Sequence, residues 1–271
     1  MDYDHAFHAA NHADVWKHTA LLAVLASLKR TPPLVFDTHG GRGRYSLAGT
    51  GEWTAGLGRL LEAVPAGHAS GSAAVDRYLG AVRRLCPDVP RSYPGSPLLA
   101  LDALPRNGRL RVHEVEPEAL SELRQAVKGD GRAQVVGGDG LAALDGLPTK
   151  DPVLVVLDPP YVTKPEWPAA AEAVQRVHAA RKDATVFLWY PVKRWSRPNT
   201  LHDTLREAGV PFVALELLVT PLELERRALA GSGVLLVGAS LPAQGEILAA
   251  APVLGPALAT HDGRWQVRVV A

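Results

Sequence analysis

Short apolar runs recur along most of the chain: Leu34–Phe36, Leu110–Val115, Gln134–Val136, Val153–Leu157, Thr185–Trp189, Val213–Leu218, Gly233–Val237 and a weaker Gln266–Val270. Their length suits buried strands. Between most of them apolar positions return at helical spacing, as in the stripes Val15, Leu21, Leu22, Leu25, Leu28 and Leu120, Leu123, Val127. Strands alternating with helices predict an α/β domain with a mainly parallel sheet covered on both faces. One stretch interrupts the rhythm. From about Gly49 to Pro94 the chain is rich in Gly, Ala, Ser and Pro, holds one amphipathic segment (Val75, Leu79, Val82, Leu85) and carries no strand-like run. The α/β pattern resumes directly afterwards. This predicts one domain over residues 1–271 with an inserted helical subdomain at 50–94.

Composition narrows the picture. The chain has 271 residues, 47% of them hydrophobic and 21% charged, enough for a substantial core in one large domain. Its formal net charge is +1, so a nucleic-acid surface has to be a local patch rather than a global basic field. The single cysteine, Cys86, cannot close an internal disulfide; it suits a reducing cytoplasm and reads as a half-buried helix residue. The N-terminal segment is too polar for a signal peptide, and no apolar run nears membrane-spanning length, so a cytoplasmic protein without membrane contact is expected.

The strongest chemical signal is Asp158-Pro159-Pro160-Tyr161, directly after the run VLVVL. Ligands of an open parallel sheet bind beyond the carboxyl ends of its strands. Two prolines stiffen the loop and remove two N–H donors, leaving carbonyls free to face a site. An exocyclic amino group is a poor nucleophile because its lone pair is delocalised into the ring. If Asp158 and the Pro159 carbonyl each accept one of its hydrogens, the nitrogen can pyramidalise, and Tyr161 offers a flat face for a flipped base. The alternative is a rigid strand-to-helix turn with a capping aspartate.

Weaker signals line up in order. Asp37-Thr38-His39-Gly40-Gly41-Arg42-Gly43 follows the strand LVF, but it misses the dinucleotide spacing G-x-G-x-x-G, which counts against a nicotinamide or flavin enzyme. Glu114 ends the strand LRVHEV, where an acidic residue takes a ribose diol, and Asp139-Gly140 could read an adenine edge. Each could equally be a surface cap. Ser96, followed by Pro97, fits a helix N-cap, and a helix N-terminus can also receive a carboxylate. The N-terminal histidines His5, His8, His12 and His18 fit no compact zinc spacing, and no metal is expected. Solvated polar residues and caps, such as Asn11 or Asp14, are one reading. The other is a substrate-entrance edge made by Tyr3, Phe7, Lys17 and His18.

Taken in order, HAFHAANHADVWKH, DTHGGRGRY, YPGSPLLA, DPPY and WYPV resemble the bacterial 23S rRNA adenine-N6 methyltransferases of the RlmJ type. The resemblance covers nearly the whole chain and loosens after about Gly238. It implies a class I, Rossmann-like fold with a small helical insertion, S-adenosylmethionine as cofactor and 23S rRNA as partner. By resemblance Asp158 is catalytic; Lys17, His18, His39, Ser96, Glu114, Asp139 and Gly140 match cofactor-holding positions; and Tyr3 matches a position on the RNA side. Gly40 and Arg42 stand where the family has small residues, and an arginine there either crowds the cofactor or points outward.

The expected reaction is methylation of adenine N6 in 23S rRNA free of ribosomal proteins, by a monomer. Its phosphate contacts are expected from Lys17 and the insertion arginines Arg77, Arg83 and Arg84. Rival readings are methylation of DNA adenine or a protein amide, or an RNA-binding module that holds the cofactor without turnover.

Overall fold

The computed structural model describes residues 5–28, 33–47, 49–148, 150–196, 198–224 and 229–271, with His5 and Ala6 as backbone only. Its main sheet has eight strands. Five adjacent ones are parallel: β5 (Ala133–Gly137), β4 (Arg109–Glu114), β1 (Leu34–Asp37), β6 (Val153–Leu157) and β7 (Thr185–Val192). Beyond β7 the pairing turns antiparallel, through β9 (Gly231–Val237), β8 (Val213–Leu218) and β10 (Gln266–Val270). This is the mostly parallel Rossmann-like sheet expected. Its order reverses at β1, which lies between β4 and β6, so the crevice for a ligand opens above β1.

Helices cover both faces. On one side α2 (His12–Ser27) packs against α4 (Ala73–Leu85), α5 (Ser96–Ala103) and α9 (Leu241–Leu258). On the other, α7 (Glu166–Ala180) and α8 (Pro198–Glu207) pack together on a second apolar cluster around Phe36, Val155, Leu188 and Trp167. The turn α1 (His5–His8) precedes α2, and α6 (Pro117–Ala126) joins β4 to β5. The stripe expected on α2 proves too narrow. Residues from Val15 through Leu25, Lys17 apart, are buried, and a helix apolar all round has to be enclosed by its neighbours. Asn11 caps it, its side chain accepting from the Ala13 and Asp14 N–H groups at 3.0 Å. The Trp16 indole donates to the Leu215 carbonyl at 3.2 Å, tying the first long helix to β8.

The interrupting stretch holds α3 (Leu57–Ala63) and α4, which pack on α9 and α2. It is not free of strands: β3 (Ser92–Pro94) pairs antiparallel with β2 (Arg44–Ser46), placing residues 44 and 94 side by side. Three residues per strand leave no periodicity to read. Cys86, expected to be half-buried, is fully buried at the end of α4.

Candidate active site

The carboxyl ends of four neighbouring strands carry acidic residues. Asp37 ends β1, Glu114 ends β4, Asp139 follows β5 and Asp158 follows β6. Strand register aligns them: Asp37 lies beside Val112 and Val156, and Glu114 beside Gly137.

Asp158 meets α2. Its Oδ2 accepts from Lys17 Nζ at 2.7 Å, and the same ammonium reaches Asp14 Oδ1 at 2.9 Å. Lys17 also stands 5.3 Å from the Trp189 ring centroid. Burial works to lower the Lys17 pKa, but the carboxylates of Asp14 and Asp158 outweigh it and hold it above its ordinary value. Burial likewise works to raise Asp14, and Lys17 outweighs it downward.

Asp37 is 1% exposed. It accepts from Ser96 Oγ at 2.8 Å and from the His39 N–H at 3.0 Å, yet burial pushes its carboxyl up to about 6. Ser96 is therefore not the N-cap the spacing predicts; Gly95 occupies that position, and the Ser96 hydroxyl turns inward to Asp37. Glu114 takes the Gly41 N–H at 2.7 Å on one oxygen and the Glu116 N–H at 2.9 Å on the other, bracing the glycine loop. Asp139 is exposed; its Oδ1 accepts from Leu141 N at 2.8 Å, and its backbone leads into Gly140, packed on Thr38. His39 Nδ1 lies 2.7 Å from Thr38 Oγ1, and burial lowers its pKa against the pull of Asp158 and Glu114.

Several expectations need correction. His18 does not line an open edge: it is buried, shares a 2.6 Å hydrogen bond with the Tyr93 hydroxyl, and burial drops its pKa to about 3. Lys17 is enclosed between two carboxylates, and among the described residues of that expected edge Phe7 alone is exposed. Tyr3 lies outside the described residues. Tyr161 presents no open face; it is 9% exposed, with its ring 4.5 Å from that of Trp167 and 6.0 Å from that of Trp189. Its φ of 50° is left-handed, a costly conformation for a side chain this size and one found at functional loops. Arg42 points outward, paired with Glu118 at 3.2 Å and with Glu122 on α6. The insertion arginines are already engaged, Arg77 by Glu246 at 2.7 Å, Arg84 by Asp102 at 2.7 Å and Arg83 by the Val64 carbonyl at 2.9 Å.

Asp37 and Asp14 escaped the sequence reading as site residues. Their signals were an acid at the very end of a strand and an Asp three residues before Lys17 on one helix.

A family model described as "Ribosomal RNA large subunit methyltransferase D, RlmJ" matches residues 30–271. The chain belongs to this family. Among similar proteins, ribosomal RNA large subunit methyltransferase J of Escherichia coli (strain K12) is 33% identical over 251 residues, 88% of this chain and 86% of the relative. That of Haemophilus influenzae (strain ATCC 51907) is 29% identical and covers 98% of both chains. A crystal structure of a Legionella pneumophila protein superimposes with a TM-score of 0.87 at 25% identity, over 97% of this chain and 98% of that one. The family match extends through the stretch after Gly238 where the motif resemblance loosens.

Methyl transfer in this family draws on S-adenosylmethionine, and the residues present suit that donor. The acidic strand ends can accept from hydroxyl and amino groups. Gly41 at φ 58° and Gly43 at φ 72° keep the loop after β1 in a left-handed path open only to small residues. Two buried donors, the Tyr161 hydroxyl on the Asp158 loop and Nε1 of Trp189, whose ring lies near both Tyr161 and Lys17, have no hydrogen-bond partner among the described residues, and a polar ligand could supply one.

Proposed function

We propose that this protein methylates the exocyclic N6 of an adenine in 23S rRNA, acting as a cytoplasmic monomer on RNA free of ribosomal proteins. The observation that carries the reading is Asp158, at the carboxyl end of β6, directly before Pro159 and aligned with Glu114 and Asp139 on neighbouring strand ends.

S-adenosylmethionine, when bound, supplies an electrophilic methyl group. Glu114 would hold its ribose diol, Asp139 and Gly140 its adenine edge, and Ser96, His39 and Lys17 the remaining polar groups. The chain does the rest. Asp158 and the Pro159 carbonyl accept the two amino hydrogens of the target base, so the nitrogen lone pair leaves conjugation and points at the methyl carbon. As the N–C bond forms, the methyl carbon's bond to sulfur would break, releasing S-adenosylhomocysteine, and one amino proton departs through Asp158. Lys17 fixes that carboxylate from the side of α2, and Trp167 and Trp189 wall the Tyr161 loop against water.

The test has two arms. Mass mapping of methyladenosine in rRNA from cells with and without the gene identifies the product. In vitro, Asp158→Ala is expected to lower turnover about a hundredfold or more on saturating RNA while S-adenosylhomocysteine binding stays within a few-fold. Near-normal turnover would remove Asp158 from the reaction.

A further inference from the structure

Strand β7 is longer than its neighbour. Leu157, the last residue of β6, pairs with Leu188, but β7 continues through four more residues to Val192, supported by β9 alone. At about 3.3 Å per residue this end of β7, with β9 and then β8 beside it, stands roughly 13 Å beyond the end of β6. It rises on the edge where the Asp158 loop opens. Its tip is a closed turn. The Ser196 hydroxyl donates to the Lys193 carbonyl and accepts from the Lys193 N–H, both at 2.8 Å, and the Ser196 N–H returns to the Lys193 carbonyl at 3.1 Å. Arg194 and Trp195 occupy the apex.

Trp195 is 77% exposed, with the Arg194 guanidinium 5.1 Å from its ring. A tryptophan held in water on a tied turn is costly to leave uncovered and has one flat face to offer. The charges around it differ from those of the insertion. Lys193 and Arg194 have no ion-pair partner among the described residues, whereas Arg77 and Arg84 are paired. Unpaired cations around an exposed aromatic ring match the two components of single-stranded RNA, charged phosphates and stackable bases. A base extruded into the pocket leaves its neighbours unstacked above the site, level with a tip that stands proud of it.

We propose that the Lys193–Ser196 turn is the RNA-docking tip of this enzyme: Trp195 stacks on an unpaired base flanking the target adenine, and Lys193 and Arg194 neutralise the adjoining phosphates. The proposal rests on the RNA substrate proposed above.

The experiment uses the full-length protein and short hairpins cut from 23S rRNA, first screened with the wild type for methyl acceptance. Trp195→Ala is expected to weaken binding of the accepted hairpin about 5- to 150-fold, the range for losing one base stack. kcat/KM should fall in parallel, kcat at saturating RNA should stay near wild type, and S-adenosylhomocysteine affinity should not change. Trp195→Phe should recover most of the loss. Combined Lys193→Gln and Arg194→Gln should flatten the dependence of log affinity on log salt by about 1.4, two single-strand phosphates' worth. Failure of the wild type to methylate any hairpin overturns the substrate reading itself. An accepted hairpin bound equally well by Trp195→Ala, or an unchanged salt slope in the double variant, overturns the docking tip alone.

Discussion

Burial lifts the Asp37 carboxyl from an ordinary 3.8 to about 6, which gives the native state a measurable dependence on pH. Between about pH 4 and 6 the folded protein binds a proton that the unfolded chain has released. The stabilisation from this proton is complete below the unfolded pKa and disappears as pH rises through 6. His18 acts in the opposite sense. Held neutral down to about 3, it costs stability as pH falls below 6.5, because the unfolded chain then takes up the proton. The clean observable is therefore a difference curve. Relative to wild type, Asp37→Asn should gain about 3 kcal/mol of unfolding free energy as pH rises from about 3 to 7, two pKa units at 1.36 kcal/mol each, measured by denaturant titration. A flat difference curve would mean that Asp37 is not held in that state. Glu114 gives a second residue-scale expectation. Glu114→Ala removes the acceptor for the Gly41 N–H along with the proposed ribose contact, so affinity for S-adenosylmethionine and S-adenosylhomocysteine should fall alike, with kcat less affected. Calorimetry with both ligands decides it.

The elements position these residues through close approaches of backbone. A Cβ at Gly140 would collide with the Thr38 main chain, so the segment after β5 can lie against the end of β1 only with glycine there. Gly140→Ala is expected to cost about 1–3 kcal/mol of stability and to weaken cofactor binding at least tenfold, as the two strand ends separate. Normal calorimetric affinity in that variant would show the loops to be independent. Most of this scaffold was legible beforehand. β6, β8 and β10 have the limits the apolar runs predict, because in each the run ends where burial or pairing ends. β7 runs three residues past its predicted end. Pro191 lies in it, and proline is tolerated there because β7 has an open edge once β6 stops. The antiparallel half and the β2–β3 ladder were not legible: strand direction is set by connections and partners, and three-residue strands leave no period. In the site, acids and glycines at strand ends could be seen one by one. The turn of Ser96 toward Asp37 and the enclosure of Tyr161 depend on packing between segments distant in sequence.

Across the whole molecule, the core on one face is built from opposite ends of the chain. α2 lies between α4, α5 and α9, and α9 supplies Ile247, Leu254 and Leu258 to the same cluster. Leu254→Ala is expected to destabilise the protein by about 2–5 kcal/mol, lowering the melting temperature, while a sample kept cold still binds cofactor. The same arrangement has a consequence in time. A chain made from its N-terminus releases α2 first, yet α9 begins at Leu241, ~210 residues after α2 ends at Ser27. At about 5–20 residues per second, roughly 10–40 s pass before the cover of the helix bearing Lys17 can be completed. During that interval α4 and α5 can already pack on α2, but its α9 side has no cover, and Asp158, synthesised on the way, faces a helix that is not yet enclosed. Nascent chains arrested before Leu241 should therefore be cut by protease within α2 and fail to retain S-adenosylhomocysteine, whereas completed chains resist and bind. The site comes into being only once α9 has been made, long after Lys17.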